Sequence, residues 1–135
     1  MRTVFQSNGA ALSRKRIDEL ESKLLEFEAA EFPVGDGFAI GAFKGRGIEA
    51  IKVLAQKICG RPNVVTLLAD ESDQIRVVFA RSADSSVDVA AILKQVLVKF
   101  GGRGGGKPNI AQGGGLTAGS VSEILDYSKD LVMRS

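Results

Sequence analysis

The chain has 135 residues, 44% hydrophobic and 25% charged, which suits one globular domain with a modest core. It contains no histidine and one cysteine, Cys59, so it offers no Ser-His or Cys-His nucleophile pair, no histidine zinc site and no internal disulfide. No apolar run approaches the roughly 18 residues of a membrane span. We therefore expect no catalytic site, no metal, no cofactor and no membrane contact in this chain. The formal net charge of +2 says little about nucleic acid, so any basic surface must be local.

Residues 1–36 are predicted to form an N-terminal segment and one amphipathic helix, with Ser13 as a suitable N-cap. Apolar residues at spacings of three, four and three give an a/d stripe, which is predicted to be a dimer seam: Ile17, Leu20, Leu24 and Phe27. Two heptads leave two interpretations open. The helix packs on its own domain, or the stripe meets a helix of another chain or of upstream sequence.

The charges of this helix run against its dipole. Residues 1–16 contain four bases and no acid, whereas residues 17–37 contain seven acids against Lys23 alone. Bases at the start and acids at the end destabilise an isolated helix. The pattern therefore predicts either a longer helix or partners for these charges outside the helix.

Residues 37–135 are predicted to form the globular domain, an α/β fold with a small mixed sheet packed with helices. Its predicted parts, in chain order, are strand 38–43, basic turn 44–47, helix 48–60, strand 64–68, polar turn 70–73, strand 75–80, a helix capped by Ser86 and ending at Phe100, glycine-rich loop 101–115 with a short strand at 110–112, and a last helix capped by Ser120.

The segment 101–115 contains eight of the 16 glycines, no acid and two bases, Arg103 and Lys107. Glycines permit positive φ and close approach of another chain, and consecutive exposed N–H groups can form an anion-binding concavity. The Arg fork and the Lys point charge both suit phosphate. A flexible linker is the alternative, although Pro108 and Ile110 interrupt the run. The segment fits neither the Walker motif nor, in its context, the dinucleotide fingerprint.

The run Gly-Gly-Arg-Gly-Gly-Gly-Lys-Pro-Asn-Ile-Ala-Gln-Gly-Gly-Gly resembles the signature of the C-terminal domain of alanyl-tRNA synthetase, also called the DHH-associated domain. The element order from about Phe38 to Leu131 is similar too. The resemblance implies a cytoplasmic tRNA-binding module that holds the outer corner of tRNA, supports aminoacylation and editing, and can mediate dimerisation. The implied partners are tRNA, the remaining domains of a parent alanine-tRNA ligase, and a second copy.

The resemblance also implies which residues meet the nucleic acid. Arg103 and Lys107 would contact phosphates, the backbone of Gly104, Gly105 and Gly106 would allow close approach, and Gln112, Gly113, Gly114 and Gly115 would shape the far wall. Lys44 and Arg46 are second-rank candidates, since they end the first strand, where α/β sheets place ligands; a solvated turn is the alternative. The family's sheet could bring both segments to one edge, which the sequence itself does not show. Few aromatic residues fall outside predicted core positions, so we expect recognition of backbone and shape with little base readout.

Three other interpretations of the function remain open. The same module ends alanyl-tRNA editing hydrolases, which are deacylases, and it forms the substrate-binding half of DHH phosphoesterases. In the phosphoesterases three glycines precede a phosphate-binding histidine, whereas Leu116 follows Gly115 here. A purely structural, dimerising role is the third. In each case the isolated chain is expected to have neither ligase nor hydrolase activity.

Overall fold

The computed structural model describes residues 23–134, which form four helices and a five-stranded sheet. The helices and strands, in order, are α1 (23–31), β1 (Phe38–Lys44), α2 (Ile48–Ile58), β2 (Val65–Glu71), β3 (Ile75–Arg81), α3 (Val89–Phe100), β4 (Arg103–Lys107), β5 (Ile110–Leu116) and α4 (Val121–Arg134). The predicted α/β class and element order are confirmed, with one strand more than expected. No helix in the described part is long and apolar enough to cross a membrane.

The sheet has the strand order β1-β2-β3-β5-β4, so β1 and β4 are its two edges. β1 and β2 are parallel and the other neighbours are antiparallel, which confirms the predicted mixed sheet. Because side chains alternate along a strand, each face of the sheet buries its own apolar set. Leu67 and Phe79 pack with α3 and α4 on one face, the α3–α4 face. Leu68 and Val78 pack with α1 and α2 on the other, the α2 face.

Helix α1 docks on the globular domain through apolar and polar contacts. Ala29 is buried in the core of the α2 face, and Leu25 packs against that core. Arg61 of the segment after α2 donates to the backbone oxygens of Ala29 and Phe32 at 3.0 and 2.8 Å. These bonds give a side-chain donor to carbonyls at and just after the end of α1, and the Ala29 carbonyl also accepts from the Phe32 N–H at 3.4 Å.

Acidic residues of α1 find bases on the globular domain, as the charge pattern predicts. Glu26 lies 3.3 Å from the Lys57 Nζ. Glu28 accepts from both terminal nitrogens of Arg46 at 2.9 Å. Two acids of this helix therefore have partners outside it, as one of the two alternatives predicts.

The apolar stripe predicted as a dimer seam does not pack on the described domain. The side chains of Leu24 and Phe27 are 68% and 69% exposed. Ser13, Ile17 and Leu20 lie outside the described residues. The neighbouring stripe of Leu25 and Ala29 makes the contact with the domain instead, so the part of the seam that is described faces away from it.

Two local predictions are wrong at their boundaries. The N-cap of α3 is Asp88, not Ser86: its Oδ1 accepts from the backbone N–H groups of Ala90 and Ala91, both at 3.1 Å. A carboxylate in this position also interacts favourably with the helix dipole. Asp70, predicted in a polar turn, belongs to β2 and is fully buried. Its carboxylate is satisfied by the backbone N–H groups of Arg46 and Gly47.

The cap of α4 follows the prediction. The Ser120 Oγ accepts from the Glu123 N–H at 3.2 Å, and the Glu123 carboxylate accepts from the Ser120 N–H at 3.0 Å. This reciprocal pair is a capping box, which satisfies two backbone donors at the start of the helix.

Candidate nucleic-acid interface

The glycine-rich segment predicted as a loop is a β-hairpin at the edge of the sheet. β4 pairs antiparallel with β5, and Pro108 and Asn109 form the turn between them. The Pro108 carbonyl accepts from the Val89 N–H, and the Asn109 carbonyl accepts from the Arg81 N–H. The short strand predicted at 110–112 is confirmed but extends to Leu116. The linker interpretation is wrong, because cross-strand pairing fixes this backbone.

At most positions of the hairpin, the fold itself requires glycine, because a side chain would clash or the backbone has a positive φ. A Cβ at Gly104 would lie 2.5 Å from the Cα of Gly113, and one at Gly106 would lie 2.5 Å from the Cα of Ala111. A Cβ at Gly113 would crowd Leu93 of α3 at 3.3 Å. Three further glycines have positive φ, which disfavours any other residue: Gly101, Gly102 and Gly115.

Gly105 has no such reason. A Cβ at this position would meet no atom within 4 Å, and its φ is not positive. Gly114 is intermediate, because a Cβ there would make an ordinary contact at 3.4 Å with Arg76. Among the eight glycines, Gly105 is therefore the one at which the fold itself does not require the absence of a side chain.

The register of the hairpin places both bases on one face. Arg103 pairs with Gly114, Gly105 with Gln112, and Lys107 with Ile110. Directly paired residues share a face in an antiparallel sheet. Ile110 packs with the core of the α2 face, which identifies that face.

No described helix covers this end of the α2 face, because α2 packs over β2 and β3. We call the uncovered part the open glycine face, and it consists of Arg103, Gly105, Lys107, Gln112 and Gly114. Arg103 and Lys107 are exposed, and no ion pair joins either of them to an acid within residues 23–134. The positive charge of this face is therefore available to an anionic ligand.

The structure adds Arg76 to this face, a residue that the sequence did not single out. Its Cγ lies over Gly114, and the Gln74 side chain lies nearby. A shallow depression at this end of the hairpin is lined by Gln74, Gly102, Arg103, Gly114 and Gly115. The alternation of Ile75, Arg76 and Val77 indicates that Arg76 points away from the α3–α4 face. The pairing of β3 with β5 brings Arg76 next to the hairpin, and no pattern in the sequence predicts this pairing.

Lys44 and Arg46 do not join the hairpin, so the expectation of one shared edge is wrong. They follow or end β1, four strand spacings from β4, a separation of about 19 Å. Lys44 is exposed there. The Arg46 guanidinium is held by Glu28 and lies 4.8 Å from the centre of the Phe43 ring. The hydrogen bonds between Arg46 and Glu28 raise the pKa of Arg46 and lower the pKa of Glu28. Arg46 therefore already has an acidic partner.

Residues 42–134 match the family described as the DHHA1 domain. The chain belongs to the DHHA1 domain family. The matched range includes the whole sheet except the first residues of β1, and it contains the glycine hairpin.

Similar proteins include alanine–tRNA ligases from archaea and bacteria. The chain is 30% identical to that of Methanoculleus marisnigri over 90% of this chain and 13% of the relative. It is 29% identical to that of Pseudomonas savastanoi pv. phaseolicola over 86% of this chain and 15% of the relative. The chain thus spans about a seventh of the length of these relatives.

A solved structure agrees with these relatives. The C-Ala domain from Aquifex aeolicus alanyl-tRNA synthetase is 28% identical, with a TM-score of 0.66, over 74% of this chain and 95% of that domain. The resemblance stated from the glycine signature is confirmed.

Proposed function

We propose that this DHHA1 domain binds tRNA as the C-terminal domain of an alanyl-tRNA synthetase. In that role it holds the tRNA for aminoacylation and editing by the remaining domains of the parent enzyme in the cytoplasm. The similarity to alanine–tRNA ligases and to a C-Ala domain supports the parent. The open glycine face supports the location of the binding surface. Two bases there flank Gly105, a position where the fold itself does not require glycine.

The chemistry of this face suits a sugar–phosphate backbone. Arg103 and Lys107 stand four residues apart along one strand, about 13 Å. The residues between them present little more than backbone, so a ligand strand can lie close to the sheet. No aromatic side chain belongs to the face, and stacking on bases therefore contributes little. Phosphate contacts position a nucleic acid without reading its sequence.

Leu116 argues against a phosphoesterase role. In those proteins the residue after the third glycine is a phosphate-binding histidine. Here Leu116 is 2% exposed and packs in the core of the α3–α4 face. Its side chain is thus unavailable to a ligand. The absence of ligase and deacylase activity in the isolated chain stays a prediction, which an assay with mischarged alanyl-tRNA tests.

The salt dependence of tRNA binding tests the phosphate assignment. The variant Arg103→Ala/Lys107→Ala is expected to weaken binding to all tRNAs about equally. It should also flatten the log–log salt dependence of the association constant by roughly 1–2 units, if each base neutralises one phosphate. The measurement is a fluorescence anisotropy titration of folded tRNA at several salt concentrations, with thermal melts to confirm the fold.

The matched control removes the same charge elsewhere. Lys129 and Arg134 lie on α4, on the opposite face of the sheet, and Lys129→Ala/Arg134→Ala should keep most of the salt slope. An unchanged affinity and slope in folded Arg103→Ala/Lys107→Ala would exclude the open glycine face. The basic segment 1–16 would then be the next candidate.

A further inference from the structure

Two unusual features of the fold meet at one position of the hairpin. Within residues 23–134, two side-chain atoms are buried without a hydrogen-bond partner, the Arg81 Nε and the Gln112 Oε1. Arg81 keeps a partner through its Nη1, which donates to the Ser82 carbonyl. The Gln112 amide oxygen has none. Gln112 pairs directly with Gly105, the position where the fold itself does not require glycine.

The pairing suggests a ligand group that the protein itself does not supply. A buried amide oxygen without a partner costs free energy, so it is seldom retained without a role. The absence of a side chain at Gly105 leaves open space directly across the strand pair from Gln112. The Gln112 Oε1 is shielded from solvent in the unbound domain, and the broad last torsion of a glutamine side chain lets the amide turn toward this space when a ligand group enters it.

The flanking charges indicate which ligand group would enter. Arg103 and Lys107 stand two residues to either side of Gly105 on the same face, each about 6.6 Å away along the strand. A backbone held by its phosphates at these two bases, about 13 Å apart, spans roughly two nucleotides, so at least one ribose lies between them and within reach of Gly105. A ribose 2′-hydroxyl both donates and accepts hydrogen bonds, so it satisfies an amide turned either way.

We propose that the Gln112 amide hydrogen-bonds a ribose 2′-hydroxyl of the bound strand across Gly105, and that the open glycine face thereby selects RNA over DNA. This inference rests on the proposed tRNA-binding function. It adds a discriminating contact to a surface whose phosphate contacts are common to both nucleic acids. Gln112 is thus a specificity-determining residue, whereas Arg103 and Lys107 provide affinity.

The test compares a tRNA transcript with a DNA oligonucleotide of the same sequence, each titrated against wild type and Gln112→Met. Methionine keeps the length of the side chain and removes the amide. Wild type should prefer RNA, and Gln112→Met should lose about three- to tenfold in RNA affinity, the range for one hydrogen bond. Its DNA affinity and its salt slope should not change. Arg103→Ala, as the matched control, should weaken binding to both nucleic acids alike.

A second measurement uses the unaltered protein. Single 2′-deoxy substitutions along the contacted strand should reveal one position that weakens wild-type binding and leaves Gln112→Met unaffected. Equal loss for RNA and DNA in Gln112→Met, or a wild type indifferent to every 2′-deoxy substitution, would overturn the proposal and leave the phosphate-binding function standing. If Arg103→Ala/Lys107→Ala leaves the affinity and the salt slope of tRNA binding unchanged, the open glycine face is not the binding surface, and this inference fails with that assignment.

Discussion

Gly105 and Gly113 belong to one hairpin, but different constraints act on them. Gly113 faces α3, where a Cβ would lie 3.2 Å from Leu97 and 3.3 Å from Leu93. Gly105 faces open space. Glycine weakens a strand through its backbone entropy, so a glycine in open space has no benefit for the fold itself. Contact with a ligand, as proposed above, would give Gly105 a physical reason.

Valine substitutions separate the two cases. Gly113→Val should lower the free energy of unfolding by about 1–3 kcal/mol, because overpacking forces α3 to shift. Gly105→Val should change it by roughly 0.5 kcal/mol or less, since valine suits an exposed strand position. Urea unfolding of both variants gives these values. For tRNA affinity the prediction for Gly105→Val is a marked loss in a folded protein, because its bulk separates the ligand from the backbone. Full affinity in Gly105→Val would contradict the close-approach role.

The two bases of β4 have an additional physical role at the residue scale. Charged residues on an edge strand discourage pairing with the edge of another sheet. Arg103 and Lys107 lie on such an edge and are exposed. A role limited to protecting the edge leaves the salt slope of tRNA binding unchanged, so the anisotropy titration described above distinguishes the two roles.

At the scale of elements, α1 is attached to the domain by a contact that depends on ionisation. The Glu28 carboxylate accepts two hydrogen bonds from Arg46, which lower its pKa below the usual 4.5. A group whose pKa is lower in the folded state adds stability above its unfolded pKa. That stability is lost as the pH falls through the folded pKa.

Amide exchange of α1 therefore should depend on pH. Above pH 4.5 the wild type should protect residues 23–31 more than Glu28→Gln does, by up to about fivefold, since exposed ion pairs contribute roughly 0.2–1 kcal/mol. Below pH 4.5 the difference should shrink progressively, and it should disappear once the pH is below the lowered folded pKa of Glu28. Hydrogen exchange with mass spectrometry, corrected for intrinsic rates, measures it. Glu31→Gln is the control, because Glu31 is exposed and forms no ion pair in the described part of the chain. Equal protection in wild type and Glu28→Gln above pH 4.5 would show that the pair does not hold α1.

Local patterns in the sequence were sufficient for most elements but not for the hairpin. The apolar periods of α2 and α3 predict those helices because each helix buries one face. The apolar run of β3 predicts a strand, which the sheet buries on both faces. β4 consists of Arg103, three glycines and Lys107, which have neither β-propensity nor alternation. Its strand exists because β5 and β3 supply pairing partners, a tertiary effect with no local signal. The same limit explains why Arg76 was not recognised.

At the scale of the whole molecule, the strand order decides which basic residues act together. Because β5 inserts between β3 and β4, the hairpin lies at the edge opposite β1. A sequence read in chain order does not show this insertion, so Lys44 and Arg46 were expected beside the glycine run. The structure instead divides the bases into two groups. Lys44 and Arg46 form the group near α1, and Arg46 is paired with Glu28 of that helix. Arg103 and Lys107 form the other group, which faces solvent on the open glycine face.

Exposed apolar side chains make α1 the candidate contact for the predicted self-association. Leu24 and Phe27 are three residues apart on one face of the helix and are 68% and 69% exposed. They face away from the domain, because Leu25 and Ala29 face toward it. The edge strand β4 is a less suitable contact. An antiparallel pairing of two copies would set Arg103 against Lys107, and like charges opposite each other are destabilising.

We expect the chain to self-associate at high micromolar concentration through the stripe that contains Leu20 and Leu24. Leu20→Asp/Leu24→Asp should shift sedimentation velocity profiles to the monomer, because charges in an apolar seam cost free energy on association. Leu24 contributes little to its own domain, so the variant should keep its circular dichroism spectrum and its tRNA salt slope. Met133→Asp, at a residue that is 67% exposed on α4, is the matched control and should associate as wild type does. A wild type that sediments as a monomer at high micromolar concentration would contradict the seam.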